Sequence, residues 1–411
     1  MADKPKDIEA IYNDALQKGS KKDRSAYLDA ACGGDRALRA RVEALLKAHE
    51  QAGDFLAVPV GGANVTLDNH PSIEGPGTKI DRYELLELIG EGGMGLVYLA
   101  QQKEPVKRRV ALKIVKLGMD TKQVVARFEA ERQTLAVLDH PNIAHVFDAG
   151  TTEAGRPYFV MEYVKGMSIT KFCDKQKLNV EERLELFRRA CDGVHHAHQK
   201  GIIHRDIKPS NILVSIHGDK AVPKIIDFGI AKAITQPLTE KTSYTEHGQL
   251  LGTPEYMSPE QAEMTYQNVD IRSDIYSLGV VLYELLAGVP PFDAETLREG
   301  GIDHIQQVIC EEQPVTPSAR LTSLGDKANA VAQSRRTQII TLTRCLHREL
   351  EWIPMKAMRK DRTRRYRSAS ELADDIQNYF TGTPLIAGPE STVYRARKFV
   401  RKHAGSVAMV A

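Results

Sequence analysis

The chain is 411 residues long, 42% hydrophobic and 27% charged, with 56 Lys and Arg against 54 Asp and Glu and a formal net charge of +2. Such a composition belongs to a folded protein with room for about two or three domains, and its near-neutral, mixed charge gives no pull towards nucleic acid. The five cysteines are scattered with no CxxC pair, which excludes a zinc ribbon or disulfide framework and fits a reducing compartment.

The N-terminus has no apolar signal core, and no apolar run reaches the roughly 18 residues of a membrane span. Residues 1–52 read as a small helical module. Ile8, Ile11, Tyr12 and Ala15 follow helical spacing, a second helix is expected near 24–31, and a third over 35–49 aligns Leu38, Val42, Leu45 and Leu46. Such an appendage packs on the rest of the chain or binds a partner. Residues 53–80, rich in Gly and without periodicity, are expected to be a flexible linker.

Strand character begins at Tyr83 and runs into Gly90-Glu91-Gly92-Gly93-Met94-Gly95. A dinucleotide turn would need a helix next, but Leu96-Val97-Tyr98-Leu99 is β-type, so the glycines tip a hairpin. Backbone N–H groups on such a tip can lie over a triphosphate. In the following strand, period-two alternation puts Ala111, Lys113 and Val115 on one face. A helix over 120–138 carries Glu131 within an apolar stripe, where it needs a cation, and Lys113 is at hand. Glu129 is the other candidate, and the count from Phe128 favours Glu131.

Residues 158–166 read as a strand ending in a bend, and 179–199 as a helix with Leu184, Phe187, Cys191 and Val194 inward. Then comes Ile203-His204-Arg205-Asp206-Ile207-Lys208-Pro209-Ser210-Asn211-Ile212. Here Asp206 and Asn211 can aim oxygen-bearing side chains into one cleft. The Asp206 carboxylate can take or orient a hydroxyl proton, and the Asn211 carbonyl is a hard ligand suited to Mg²⁺. Lys208, between them, can reach a phosphate whose charge builds during transfer. A short strand leads to Asp227-Phe228-Gly229, and 231–251 is polar and rich in hydroxyls. Residues 270–287 form a helix apolar nearly all round, 313–337 read as a loop insertion, and closing helices are expected at 350–358 and 370–380. The tail from Tyr394 to His403 is strongly basic, with small apolar residues after it.

The stretch around Asp206 matches the protein kinase catalytic loop, and Ile207-Lys208-Pro209 resembles its Ser/Thr-specific form. With the glycine-rich loop, Lys113, Asp227-Phe228-Gly229 and Ser258-Pro259-Glu260 in order, residues 82–381 resemble the bacterial Hanks-type serine/threonine protein kinases. The N-terminal helices, down to Leu28-Asp29-Ala30-Ala31-Cys32-Gly33-Gly34-Asp35, resemble the extension ahead of one group of them.

The resemblance implies an α+β, two-lobed protein kinase fold: a small antiparallel β-sheet lobe with one helix, and a larger, mainly α-helical lobe. It divides the chain into an extension (1–52), a linker (53–80), a catalytic domain (81–381) and a basic juxtamembrane-like tail (382–411). The implied reaction moves the γ-phosphoryl of Mg·ATP to Ser or Thr hydroxyls of protein substrates. Gly90, Glu91, Gly92, Gly93 and Gly95 with Lys113 would hold the phosphates, and Glu131 would fix Lys113. Ile89, Val97, Ala111 and Leu213 would sandwich the adenine. Met161 would stand behind it, and the Glu162 and Val164 backbones would bond its edge. Asn211 and Asp227 would hold Mg²⁺, Asp206 would orient the hydroxyl, and Lys208 would stabilise transferred charge.

Arg205 would receive a phosphate on the activation segment, at Thr245 first and Thr242 second, added by another copy of the chain. Thr253 is expected to contact Asp206 and Lys208 instead. Serine stands where the family's A-P-E triplet has alanine, and Glu260 is expected to pair with Arg365. A transmembrane helix following residue 411 would tether a cytoplasmic kinase domain. A pseudokinase would have lost Lys113, Asp206, Asn211 or Asp227, and all four are present.

Overall fold

The computed structural model describes residues 21–33, 74–92, 95–115, 137–228, 253–263 and 269–402, with Ala15, Asp35, Leu38, Arg39 and Val42 singly. The chain divides into two compact units, Met1–Ser72 and Ile73–Ala411. In the first, helix α1 (Lys21–Cys32) buries Leu28 and Cys32 against Ala15 and Val42. The side chain of Asp35 accepts the Leu38 N–H at 3.0 Å, the bond of a residue that starts a helix. Much of the first and third expected helices lies outside the described residues.

The small lobe of the second unit is a six-stranded antiparallel sheet in the order β1-β2-β3-β4-β6-β5. Its strands are β1 (Lys79–Ile80), β2 (Tyr83–Gly92), β3 (Gly95–Gln102), β4 (Arg108–Val115), β5 (Val146–Thr151) and β6 (Pro157–Glu162). One face buries Tyr83, Leu85, Tyr98, Val110, Leu112 and Val160. The opposite face of β4 presents Ala111 and Val115 to the large lobe's core, as the period-two pattern requires. Most of the helix expected over 120–138, with Glu131, lies outside the described residues, and Leu138, at its expected end, is buried.

The linker expected over 53–80 ends sooner. Glu74 is only 3% exposed and pairs with Arg156 at 2.8 Å, its carbonyl accepts the Tyr98 hydroxyl at 3.1 Å, and β1 pairs with β2. A buried ion pair, a tyrosine hydroxyl and strand pairing anchor this stretch, and composition does not register them.

In the large lobe, β7 (Met167–Ser168), β8 (Ile212–His217) and β9 (Lys220–Ile225) form a second antiparallel sheet. Beside it lie α2 (Ile169–Lys175) and α3 (Val180–Gln199), the latter begun by a reciprocal capping box between Asn179 and Glu182. After α4 (Pro259–Ala262) comes the central helix α5 (Ile271–Ala287), buried nearly all round and stopped by Gly288 at φ 83°. Gly279 lets it approach its neighbour: a Cβ there would stand 2.7 Å from that of Ala357.

Next come α6 (Ala294–Glu299), α7 (Gly301–Glu311), α8 (Pro317–Ser323), α9 (Lys327–Ser334) and α10 (Ile339–Cys345). The loop insertion expected over 313–337 is therefore corrected to two helices. Their buried face uses Leu321, Ala328 and Ala332, and the buried Arg335 donates to the Leu285 carbonyl at 2.8 Å, satisfying the end of α5.

Then follow α11 (Trp352–Ala357), α12 (Ala369–Thr381) and α13 (Thr392–Lys402). Folding does not stop at Thr381, as the expected boundary had it. Asp375 accepts the N–H groups of Ile386 and Ala387 at 2.6 and 2.9 Å, Leu385 is buried, and Tyr394 meets Trp352 edge-on at 5.7 Å.

Candidate active site

Lys113 projects from β4, between Val97 of β3 and Phe159 of β6. Its ammonium lies 2.9 Å from the Asp227 carboxylate. Asp227 follows β9 in the left-handed region, at φ 65°, a conformation a non-glycine residue keeps only when its surroundings fix it. Those surroundings are visible: the Ile226 N–H donates to the Asn211 carbonyl at 2.9 Å, and Phe228 is buried with its ring edge-on to His204 at 4.7 Å.

The catalytic loop is held as tightly. His204 Nε2 lies 2.9 Å from the Ile226 carbonyl, while its Nδ1 accepts the Asp206 N–H at 3.2 Å. That network puts the ring proton on Nε2. Arg205 has φ 68°. Its N–H and that of His204 both donate to Asp274 at 2.8 Å, and its carbonyl accepts Gln261 Nε2 at 2.7 Å. Asp274 is 1% exposed and also bonds His198 Nε2 at 2.7 Å. Burial pushes its carboxyl up, but the hydrogen bond and charge of His198 and the His204 contacts outweigh this and hold it below the usual value.

The loop thus presents Asp206, Lys208 and Asn211 together. Lys208 Nζ is 2.9 Å from Asp206 Oδ2 and 3.2 Å from the Thr253 hydroxyl, so the expected Thr253 contact to Asp206 runs through Lys208. Asn211 Nδ2 donates to the Asp206 carbonyl and carboxylate at 2.8 and 3.0 Å, which leaves Oδ1 for a cation. Asn211 Oδ1 and the Asp227 carboxylate are two hard oxygen donors on segments joined by the Ile226 bond. Mg²⁺ takes few protein ligands and completes its octahedron with phosphate and water, so this pair fits it.

Above the cleft, β2 and β3 meet at Gly92 and Gly95. A Cβ at Gly95 would stand 2.2 Å from the Ile114 carbonyl, so β3 can cross β4 there only as glycine. Ile89 and Glu91 are exposed on β2, Gly90 is half-buried, and Gly93 lies outside the described residues. Ala111 pairs with Met161 across β4 and β6. Both are buried in the core cluster that Val97 packs against. Leu213 and Val164 are half-buried. The Glu162 carboxylate is taken up by Lys224 at 2.8 Å and the His145 N–H at 3.3 Å, so its side chain has a structural task.

Glu260 and Arg365 form the expected pair, bidentate at 2.7 and 2.9 Å, with Ser273 adding a third bond. Thr242 and Thr245 lie outside the described residues. Sequence reasoning missed Asp274 and Gln261. An aspartate inside a helix that is otherwise apolar was the available signal for the first. Ser258 was the signal for the second, since its N–H and hydroxyl both donate to Gln261 Oε1 at 3.1 Å and so orient the amide.

Residues 83–368 match the family described as protein kinase domain. The serine/threonine-protein kinase PknB of Mycobacterium tuberculosis is 37% identical over 310 residues, covering 74% of this chain and 44% of that protein. PknB of Mycobacterium leprae is 36% identical over the same 310-residue length. A crystal structure of the M. tuberculosis PknI kinase domain matches with a TM-score of 0.51 at 25% identity, covering 75% of this chain and 100% of that one. The chain spans under half the length of the curated relatives named here, 44% for the first.

Proposed function

This chain belongs to the protein kinase family, with bacterial serine/threonine kinases among its relatives, and from that premise we propose that it phosphorylates Ser and Thr hydroxyls of proteins with Mg·ATP. The observation that carries the reading is one cleft in which Lys113 meets Asp227 while Asp206, Lys208 and Asn211 bond to one another.

Mg²⁺, when bound, would supply charge neutralisation on the nucleotide phosphates. Asn211 and Asp227 would hold it. The backbone at Gly90, Gly92 and Gly95 would cover the phosphates, with Lys113 on their oxygens and Glu131 steadying Lys113. Ile89, Val97, Ala111, Met161 and Leu213 would enclose the base, and the Glu162 and Val164 backbones would bond its edge. Asp206 orients the acceptor hydroxyl and takes its proton as the new oxygen–phosphorus bond forms and the bond to the leaving ADP oxygen breaks. Lys208 stabilises charge on the group in flight.

Activation would come from phosphate at Thr245 or Thr242, placed by a second copy of the chain and bound by Arg205. A tether following residue 411 would hold the domain at a membrane; among the described residues, no helix is long and apolar enough to cross one.

Calorimetry tests the division of labour. Asp227→Ala should lose the Mg²⁺-dependent part of nucleotide affinity, whereas Asp206→Ala should keep it. Equal losses would contradict the assignment.

A further inference from the structure

Helix α13 reads TVYRARKFVRK, with five basic residues, Arg395, Arg397, Lys398, Arg401 and Lys402, and no acidic one. At 3.6 residues per turn, Tyr394, Lys398 and Lys402 share one side, and Val393, Ala396 and Val400 the opposite side. The inner side is fixed to the large lobe. The Tyr394 hydroxyl accepts the Leu385 N–H at 3.2 Å, Lys398 pairs with Glu349, and Lys402 donates to the Thr383 hydroxyl at 3.0 Å. The outer side is turned to solvent, with Val393 74% and Val400 51% exposed, and Phe399 beside them at 62%.

Arg395 and Arg397 are exposed on the two flanks of that stripe. The surface continues in the same sense. Arg395 lines a groove of about 630 Å³ with Lys356, Arg364, Arg367 and the partly exposed Ile386, and Glu371 and Glu390 are its acidic members.

We propose that this outer face lies in the plane of an anionic lipid surface while the inner face stays docked on the lobe. Five charges in eleven residues exclude the helix from the hydrocarbon core itself. A stable protein partner would need about 800 Å² on each side, more than one short stripe of small apolar residues offers. An apolar stripe between arginines matches the boundary between headgroup phosphates and acyl chains, where guanidinium groups bind phosphate oxygens bidentately and the two valines enter the acyl edge. The helix would place the lobe against the membrane through its own residues, independently of any tether and of the phosphoryl-transfer reading.

Co-sedimentation of the full chain with vesicles tests this. The chain should pellet with vesicles of equal parts phosphatidylglycerol and phosphatidylcholine, not with phosphatidylcholine alone, and less as salt rises. Val393→Asp with Val400→Asp should weaken binding about tenfold or more, and Arg395→Glu with Arg397→Glu likewise. Unchanged thermal melting of both variants shows that the fold is kept. A chain that stays in the supernatant overturns the proposal. So does full binding by the valine variant, which would mean that the basic surface adheres to polyanions in general.

Discussion

The side-chain amide of Gln261 donates to the backbone carbonyl of Arg205 at 2.7 Å, joining α4 to the catalytic loop one residue before Asp206. Arg205 is in the left-handed region, where a side chain costs about 1–2 kcal/mol, so its peptide groups must be held from both sides. Asp274 holds the N–H and Gln261 the carbonyl.

Gln261→Leu removes one of those restraints. Losing a hydrogen bond worth about 1–1.5 kcal/mol should lower kcat about tenfold, with KM for ATP nearly unchanged because no ATP-binding group moves. Ser258→Ala, which keeps the backbone donor to Gln261, should cost less, about threefold. Steady-state kinetics on a peptide substrate checks both, and full activity in Gln261→Leu would show that this bond does not position the catalytic loop.

Asp274 gives the fold an acid-sensitive support. Its folded-state carboxyl lies below its ordinary value of 3.8, so the stability it contributes is fully present above that value. As pH falls through the lower folded value, protonation removes the contribution. Asp274→Asn should be less stable at neutral pH by about 2–4 kcal/mol, because it sets an amide against the His204 and Arg205 donors. It should also show a flatter loss of stability on acidification below pH 3.8. Urea denaturation across that range measures both, and parallel curves for the two proteins would refute the linkage.

What was legible in the sequence was what short segments carry by themselves. Strand alternation put Lys113 and Ala111 on one face, and the residues from His204 to Asn211 hold their acid, cation and amide within one turn of chain. Supports that depend on distant partners were hidden. Asp274 reaches His198, His204 and Arg205 only once α5 packs under the catalytic loop, and Glu74 finds Arg156 only in the folded small lobe. The helices α8 and α9 were hidden for another reason. Leu321 is the one large apolar residue on their buried face, and the rest is alanine with Arg335 bonded to the end of α5, too little to mark a period. In α13 the run of charge concealed a helix anchored by Tyr394.

Activation is expected to depend on the hydroxyls of Thr242 and Thr245. A phosphate adds roughly two negative charges and three acceptor oxygens, enough to engage Arg205. Purified active protein should carry phosphate at one of these sites, and the double alanine variant should lose most activity. Mass spectrometry after phosphatase treatment and ATP re-addition checks this; full activity with a bare segment would remove the switch.

Transfer of labelled phosphate from ATP to a basic protein substrate, followed by phosphoamino-acid identification, addresses the central claim most directly. The chain should yield phosphoserine or phosphothreonine in a Mg²⁺-dependent reaction. Asp206→Asn keeps the shape of the side chain but cannot take a proton, and should reduce the rate by a hundredfold or more, at the lower end of what about 3 kcal/mol of lost general-base catalysis predicts. Equal rates for the two proteins, or no transfer by either, would contradict the account.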